Sequence, residues 1–185
     1  MLKKLKRGFT MIELLIVIAI LGVLAVAVLA AINPIEQINR SRDNGSRSDA
    51  EQLIGAVERY YSSQGYYPWL TSPNDTPMTT EWGKVDSTWV DNATTPAQVL
   101  TKLSSATGAV GELKESFVSR VTATTYNTLY KYNAGSSGDS TFVCFLPKSL
   151  SFKKEAADRC AGTLPTDYPP AASACVASSE YICLP

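Results

Sequence analysis

Residues 9–32 read FTMIELLIVIAILGVLAVAVLAAI, and this stretch decides what the rest of the chain can be. From Leu14 to Ile32 no side chain is polar or charged, a run of nineteen residues. Coiled as a helix rising about 1.5 Å per residue, the run would span about 28 Å, close to the ~30 Å hydrocarbon core of a bilayer. Glu13 stands at its entrance. An acidic side chain costs about 2.5–3.5 kcal/mol at the middle of a membrane on insertion scales, so a carboxylate kept here is a functional candidate in need of a partner. Upstream, MLKKLKRG packs Lys3, Lys4, Lys6 and Arg7 ahead of Gly8. Four cations before the run and none inside it hold the amino terminus in the cytoplasm, although Arg40, Arg42 and Arg47 beyond the run temper that bias.

The string KRG followed by FTMIELLIVIAILGVLA closely resembles the amino terminus of type IV prepilins and of the related pseudopilins of type II secretion systems. The resemblance covers only the beginning of the chain, but there the basic leader, glycine, phenylalanine and single glutamate all coincide. It implies that a prepilin peptidase cuts after Gly8 and methylates the new terminal residue, Phe9. It implies too that Glu13 attracts the amino terminus of a neighbouring subunit as a filament grows. In assembled filaments of the family the helix loosens between a glycine and a proline, which maps here onto Gly22 and Pro34. The family's proline commonly falls a helical turn earlier, where this chain has Ala30. Two plainer readings compete. Glu13 could simply snorkel to the headgroups, and the segment could be an ordinary secretory signal peptide cleaved after Ala25-Val26-Ala27.

At 185 residues the chain has room for one domain and an anchor. Lysine plus arginine and aspartate plus glutamate balance at 17 each; without the four cations of residues 1–8 the balance is 13 against 17. A negative mature chain offers no clear nucleic-acid site, which needs a basic surface. There is no histidine, so the commonest general base and metal ligand is missing. No nucleophile–base pair, phosphate-binding glycine loop or Cys-x-x-Cys appears, and the sequence predicts neither an enzyme nor a cofactor. Cys144, Cys160, Cys175 and Cys183 all fall in the last 42 residues, outside the membrane, and read as a disulfide framework. Of three possible connectivities the nested one, Cys144–Cys183 and Cys160–Cys175, is favoured. FVCFL and YICLP are strand-like runs of similar texture, while Cys160 and Cys175 bracket the Pro-rich loop AGTLPTDYPPAASA. Some pseudopilins bind calcium in this region; Asp158, Asp167 and Glu180 could supply oxygens, but without EF-hand spacing.

Between anchor and cysteines the pattern is readable in pieces. Asn33-Pro34 interrupts the helix, since Pro34 cannot donate to the carbonyl of Ala30. Residues 35–52 are mostly polar and read as a solvated helix face with a local Asp43–Arg47 pair. Leu53, Ile54, Val57, Tyr60 and Tyr61 form an apolar stripe at helical spacing, and Gly65 and Pro68 end the helix. Residues 70–95 read as a long surface loop pinned by Trp82 and Trp89. A short helix follows, capped by Thr95 with Pro96 at its first position and carrying Val99, Leu100 and Leu103. A strand is expected near Phe117–Val121, then a hairpin of Thr128–Tyr132 and Thr141–Leu146, a helix over Ser149–Arg159 and a last strand in YICLP.

These readings predict an α+β pilin fold: residues 1–8 a leader, 9–63 a long helix whose 9–32 half crosses the membrane, and 64–185 a globular head. The expected function is that of a structural filament subunit, waiting in the membrane as a single-pass protein and then built into an extracellular filament. Its expected partners are identical or related pilin subunits, the prepilin peptidase, the pilus assembly machinery and the membrane. A pseudopilin is the near alternative; a secreted or membrane-anchored binding domain that does not polymerise is the distant one.

Overall fold

The computed structural model describes residues 8–31, 33–76, 79–104, 111–136, 138–177 and 179–185. It divides into two compact units, Met1–Gln37 and Ile38–Pro185.

In the first unit the apolar run forms helix α1 (Met11–Ala31). Helix α2 (Pro34–Gln64) starts at the proline expected to interrupt the helix. Pro34 sits at the first helical position, where its missing N–H would have had no intrahelical acceptor. Asn33 Oδ1 accepts the N–H of Glu36 at 3.3 Å, the bond of a helix N-cap.

In the second unit α2 supplies one wall of the core. Leu53, Ile54, Val57 and Tyr60 are buried as the stripe predicts, whereas Tyr61 is exposed and leans on Tyr67 with ring centroids 4.7 Å apart. The polar stretch before them corrects the sequence reading. Asp43, Ser46, Asp49 and Ala50 are buried, so this is a packed face and not a solvated one. Their spacing continues that of Leu53, Val57 and Tyr60 upstream, one stripe whose first half is polar. Arg47 pairs with Glu155 at 2.5 Å, across 108 residues, in place of the local pair with Asp43. Helix α2 stops at Gln64; Gly65 follows at φ +79, a left-handed position natural to glycine, and donates to Tyr61 O at 2.8 Å.

The segment read as a loop contains strand β1 (Thr80–Lys84). Its few apolar side chains hide it, because Leu70, Val85 and Trp89 flank the strand while carrying the burial themselves. Helix α3 (Val99–Leu103) begins later than expected, after Gln98. Thr95 and Pro96 stay outside it because a bridge between Val90 and Gln98 holds the chain extended there, and Asp91 Oδ1 takes the N–H of Ala97. Where a strand was expected there is helix α4 (Glu115–Val121). Phe117 and Val121 lie four apart on its buried side, a helical spacing mistaken for a short apolar run.

Strands β2 (Leu129–Asn133) and β3 (Phe142–Phe145) form the predicted hairpin. After Ser149, whose Oγ accepts the N–H of Phe152 at 3.4 Å, comes α5 (Leu150–Ala161). Then follow α6 (Ala171–Ala174), the paired β4 (Cys175–Val176) and β5 (Ser179–Glu180), and β6 (Ile182–Leu184). Among the described residues the main sheet has the order β1-β2-β3-β6 and every pairing is antiparallel. Side-chain alternation splits it into two faces. Leu129, Val143, Phe145 and Ile182 enter the main core with α2, α3, α4 and α5; Phe142, Cys144 and Cys183 face the other way, beside Trp82, Tyr130 and Tyr132. The register sets Tyr132 opposite Phe142 and Leu129 opposite Phe145.

Candidate functional site: the amino-terminal helix and its first turn

Helix α1 is apolar all the way round, and every described side chain from Gly8 to Leu29 is exposed. Phe9 and Met11 are the extreme cases, at 85% and 91%. A helix apolar on every face belongs in lipid or against other apolar helices, and Met11–Leu29 is long and apolar enough to cross a membrane by length and composition. Gly22 lies within α1, and the loosening expected between Gly22 and Pro34 concerns an assembled filament.

The Gly8–Phe9 bond lies ahead of the first helical turn, outside any helix or strand. Thr10 and Glu13 then lock that turn. Glu13 Oε2 accepts the N–H of Thr10 at 2.8 Å and its hydroxyl at 2.6 Å, while Thr10 Oγ1 accepts the N–H of Glu13 at 3.3 Å. This is a capping box, a threonine followed three residues later by glutamate, which satisfies two helix-end donors reciprocally. The sequence reading missed Thr10, although T-M-I-E spells the motif. Glu13 thus has a local partner in its own chain, and its charge stands at the positive end of the helix dipole. The carboxylate remains exposed at the entrance to the apolar run.

At the far end of the chain the disulfides join Cys144 to Cys183 and Cys160 to Cys175, the nested pairing. The first links β3 to β6 at residues directly opposite in the ladder. The second closes the Pro-rich loop. Asp158, Asp167 and Glu180 are engaged separately: Asp158 with Lys154 at 3.0 Å, Asp167 with the N–H of Ser140 at 2.8 Å, and Glu180 in β5. Among the described residues no group of three or more His, Cys, Asp or Glu could hold a metal ion.

Two buried carboxylates on α2, neither foreseen from the sequence, hold the helix to the head. Asp43 accepts the N–H of Lys148 at 2.9 Å, the N–H of Ser149 at 2.7 Å and the Ser149 hydroxyl at 2.6 Å. Asp49 pairs with Arg120 at 2.6 Å and accepts the hydroxyl of Tyr126. Burial first, and then the Asp49 carboxylate, push the Tyr126 phenol up to about 12.

Residues 3–29 match the family model for the prokaryotic N-terminal methylation motif. The chain is also similar to the fimbrial protein EcpC of Eikenella corrodens, 44% identical over 68 residues, which is 37% of this chain and 43% of that protein. The match thus spans less than half the length of the relative. No solved structure matches the chain. Its amino terminus carries the methylation motif of type IV pilin-like proteins, set on a pilin-like α+β fold.

Proposed function

We propose that this chain is a structural subunit of a type IV pilus-like filament, stored in the membrane and polymerised after its leader is removed. The observation that carries the reading is α1, apolar on all sides and exposed along its described length. Such a helix can be covered by lipid in the stored subunit and by the same helix of other copies in a filament. In this reading the prepilin peptidase cuts between Gly8 and Phe9, where the chain is not yet helical, and methylates the Phe9 amine. Glu13, preorganised by Thr10, presents its carboxylate to the terminal amine of an incoming subunit, and the pair forms at the membrane edge where each charge needs the other. The assembly machinery and related subunits are the remaining partners, and the head would be displayed outside the cell.

Sequencing the amino terminus of the mature protein tests this directly. The expected first residue is N-methylated Phe9, and a bulky substitution such as Gly8→Leu should leave residues 1–8 attached. A mature chain beginning near Val28 would instead establish secretion by an ordinary signal peptide and refute the filament reading.

A further inference from the structure

Two cavities of about 310 Å³ and 480 Å³ share Lys148 in their walls, where α2 meets the chain that leads into α5. The smaller is walled by Arg42 and Lys148 among neutral residues, with no acid among the described ones. The larger adds Lys153, and Glu180 is the one acid of its described wall. Arg42, Lys148 and Lys153 are all exposed, and among the described residues none of them enters an ion pair. Neighbouring acids are paired or turned inward. Asp49 is matched by Arg120, Glu155 by Arg47 and Arg159, and Asp158 by Lys154. Asp43 is enclosed and meets the neutral N–H groups of Lys148 and Ser149, so its charge offsets one cation outside. Set against Asp43 and Glu180 together, the three cations still leave the surface positive. Composition alone does not produce that balance, since the chain beyond residue 8 carries 13 cations against 17 acids.

Apolar side chains stand exposed beside these cations. Ile38 and Arg42 lie four apart on α2, and Leu150 and Lys153 three apart on α5, spacings that put each pair on one helix face. Leu146 shares the wall of the larger cavity with Lys148 and Lys153. Ile38, Leu146 and Leu150 are 54%, 38% and 69% exposed. Cations interleaved with exposed apolar side chains suit a lipid surface, where the charge meets the headgroup phosphate and the apolar tip enters the acyl boundary. A free phosphate ion would answer the cations alone and leave the apolar side chains in water. Six residues lie between Ala31, where α1 ends, and Ile38, so the chain itself cannot part those two by more than about 25 Å.

We propose that this surface docks on anionic phospholipid headgroups of the membrane that holds α1, with Arg42 and Lys148 meeting the phosphodiester and Ile38, Leu146 and Leu150 reaching the acyl boundary. The inference rests on the reading that residues 9–32 enter a membrane. It adds that the stored subunit keeps its head on the lipid surface through a patch of its own.

The full chain, labelled with ¹⁵N and held in maltoside micelles, is titrated with dihexanoyl-phosphatidylglycerol, dihexanoyl-phosphatidylcholine and inorganic phosphate. The amide signals of Gly45, Asn127 and Lys148, all in the wall of the smaller cavity, report on the surface. Saturable movement with phosphatidylglycerol, and at least about fivefold weaker response to the other two, is the expected result. Arg42→Gln and Lys148→Gln should each raise the half-saturation concentration about fivefold, the share of one cation at an anionic lipid surface, and the two together about twenty-five-fold. Both side chains are exposed, and unchanged signals elsewhere would show that the head is still folded. No movement, an equal response to phosphatidylcholine or to phosphate, or an unaltered half-saturation in the double variant would each overturn the proposal. So would movement that follows protein concentration instead of lipid, as a contact with a second copy would. Extraction of the chain from membranes with alkaline carbonate tests the membrane reading separately. Release refutes that reading, whereas retention without a lipid response refutes this inference alone.

Discussion

Replacing Asp43 by alanine should loosen the head more than any change on the exposed face of α2. The side chain is fully buried and its carboxylate collects donors from one turn of chain on the far side of the sequence. Lys148 is exposed, so water can take over its N–H. Ser149 is fully buried and would keep two donors, the N–H with no acceptor and the hydroxyl with only Ser151 Oγ, at a long 3.5 Å, in reach. Each stranded donor costs about 1–3 kcal/mol, which puts Asp43→Ala at about 2–6 kcal/mol. That is a large share of the ~5–15 kcal/mol that holds a domain together.

Urea unfolding of the full chain in detergent, followed by near-ultraviolet circular dichroism of the head aromatics, measures it. Ser149→Ala removes one donor together with the cap of α5 and should cost about 1 kcal/mol. Because the hydroxyl and the carboxylate act on each other, the double variant should be less damaged than the two single losses add up to, by about 1–2 kcal/mol. An Asp43→Ala loss below about 1 kcal/mol, or strict additivity with Ser149→Ala, would refute the claim that this carboxylate fastens α2 to the chain before α5.

Glu13→Ala should leave membrane insertion and leader cleavage intact while filament numbers, counted by electron microscopy, collapse; normal filaments would remove the assembly role. In the chain-entropy model reduction should cost about 3 kcal/mol for the Cys160–Cys175 loop of separation 15 and about 4 kcal/mol for Cys144–Cys183 of separation 39. Thermal unfolding with and without reductant tests this, and an unchanged midpoint would contradict it. Burial alone would raise the Asp91 carboxyl, but Lys102 and the N–H groups of Ala97 and Ala93 outweigh it and hold the pKa below the ordinary 3.8. Its stabilisation is therefore complete above that value and is lost as pH falls through the depressed one. The melting midpoint of Asp91→Asn should accordingly be lower than that of the parent above pH 5, with the gap closing toward pH 2.

Much of this was legible because the anchor, hairpin, α5 and last strand announce themselves in ordinary hydrophobic patterns. FVCFL and YICLP placed Cys144 opposite Cys183 before any geometry was known, because two strands of like texture pair most simply side by side. The failures share a physical cause. Asp43, Ser46 and Asp49 sit on the helix stripe at the correct spacing, yet a scan for apolar residues starts only at Leu53. Burial there is sustained by donors from Ser149, Arg120 and Tyr126, which lie 71 to 106 residues away. Only the tertiary fold brings them near. Strand β1 was missed because its neighbours carry the burial, and α4 because FVSRV is too short for periodicity to separate helix from strand. At the amino terminus the opposite holds. Thr10 is local to Glu13, and the capping box was readable from T-M-I-E alone.

That local bond bears on why the glutamate is there at all. Fourteen Phe, Ile, Leu and Val side chains between Phe9 and Leu29 are exposed. At about 0.3–0.6 kcal/mol each on insertion scales they favour the bilayer by about 4–8 kcal/mol. A carboxylate at the membrane edge subtracts less than the ~2.5–3.5 kcal/mol it would cost at the centre. In the proposed reading the anchor therefore holds with or without Glu13, and the residue is a net liability to membrane storage. Thr10 lowers that liability by meeting one oxygen with two donors, which keeps the helix start wound and fixes where the charge points. If the chain polymerises as proposed, a group that weakens the anchor, is held in place by its own chain and lies one helical turn from the proposed new terminus is better suited to pairing between subunits than to holding one subunit in lipid.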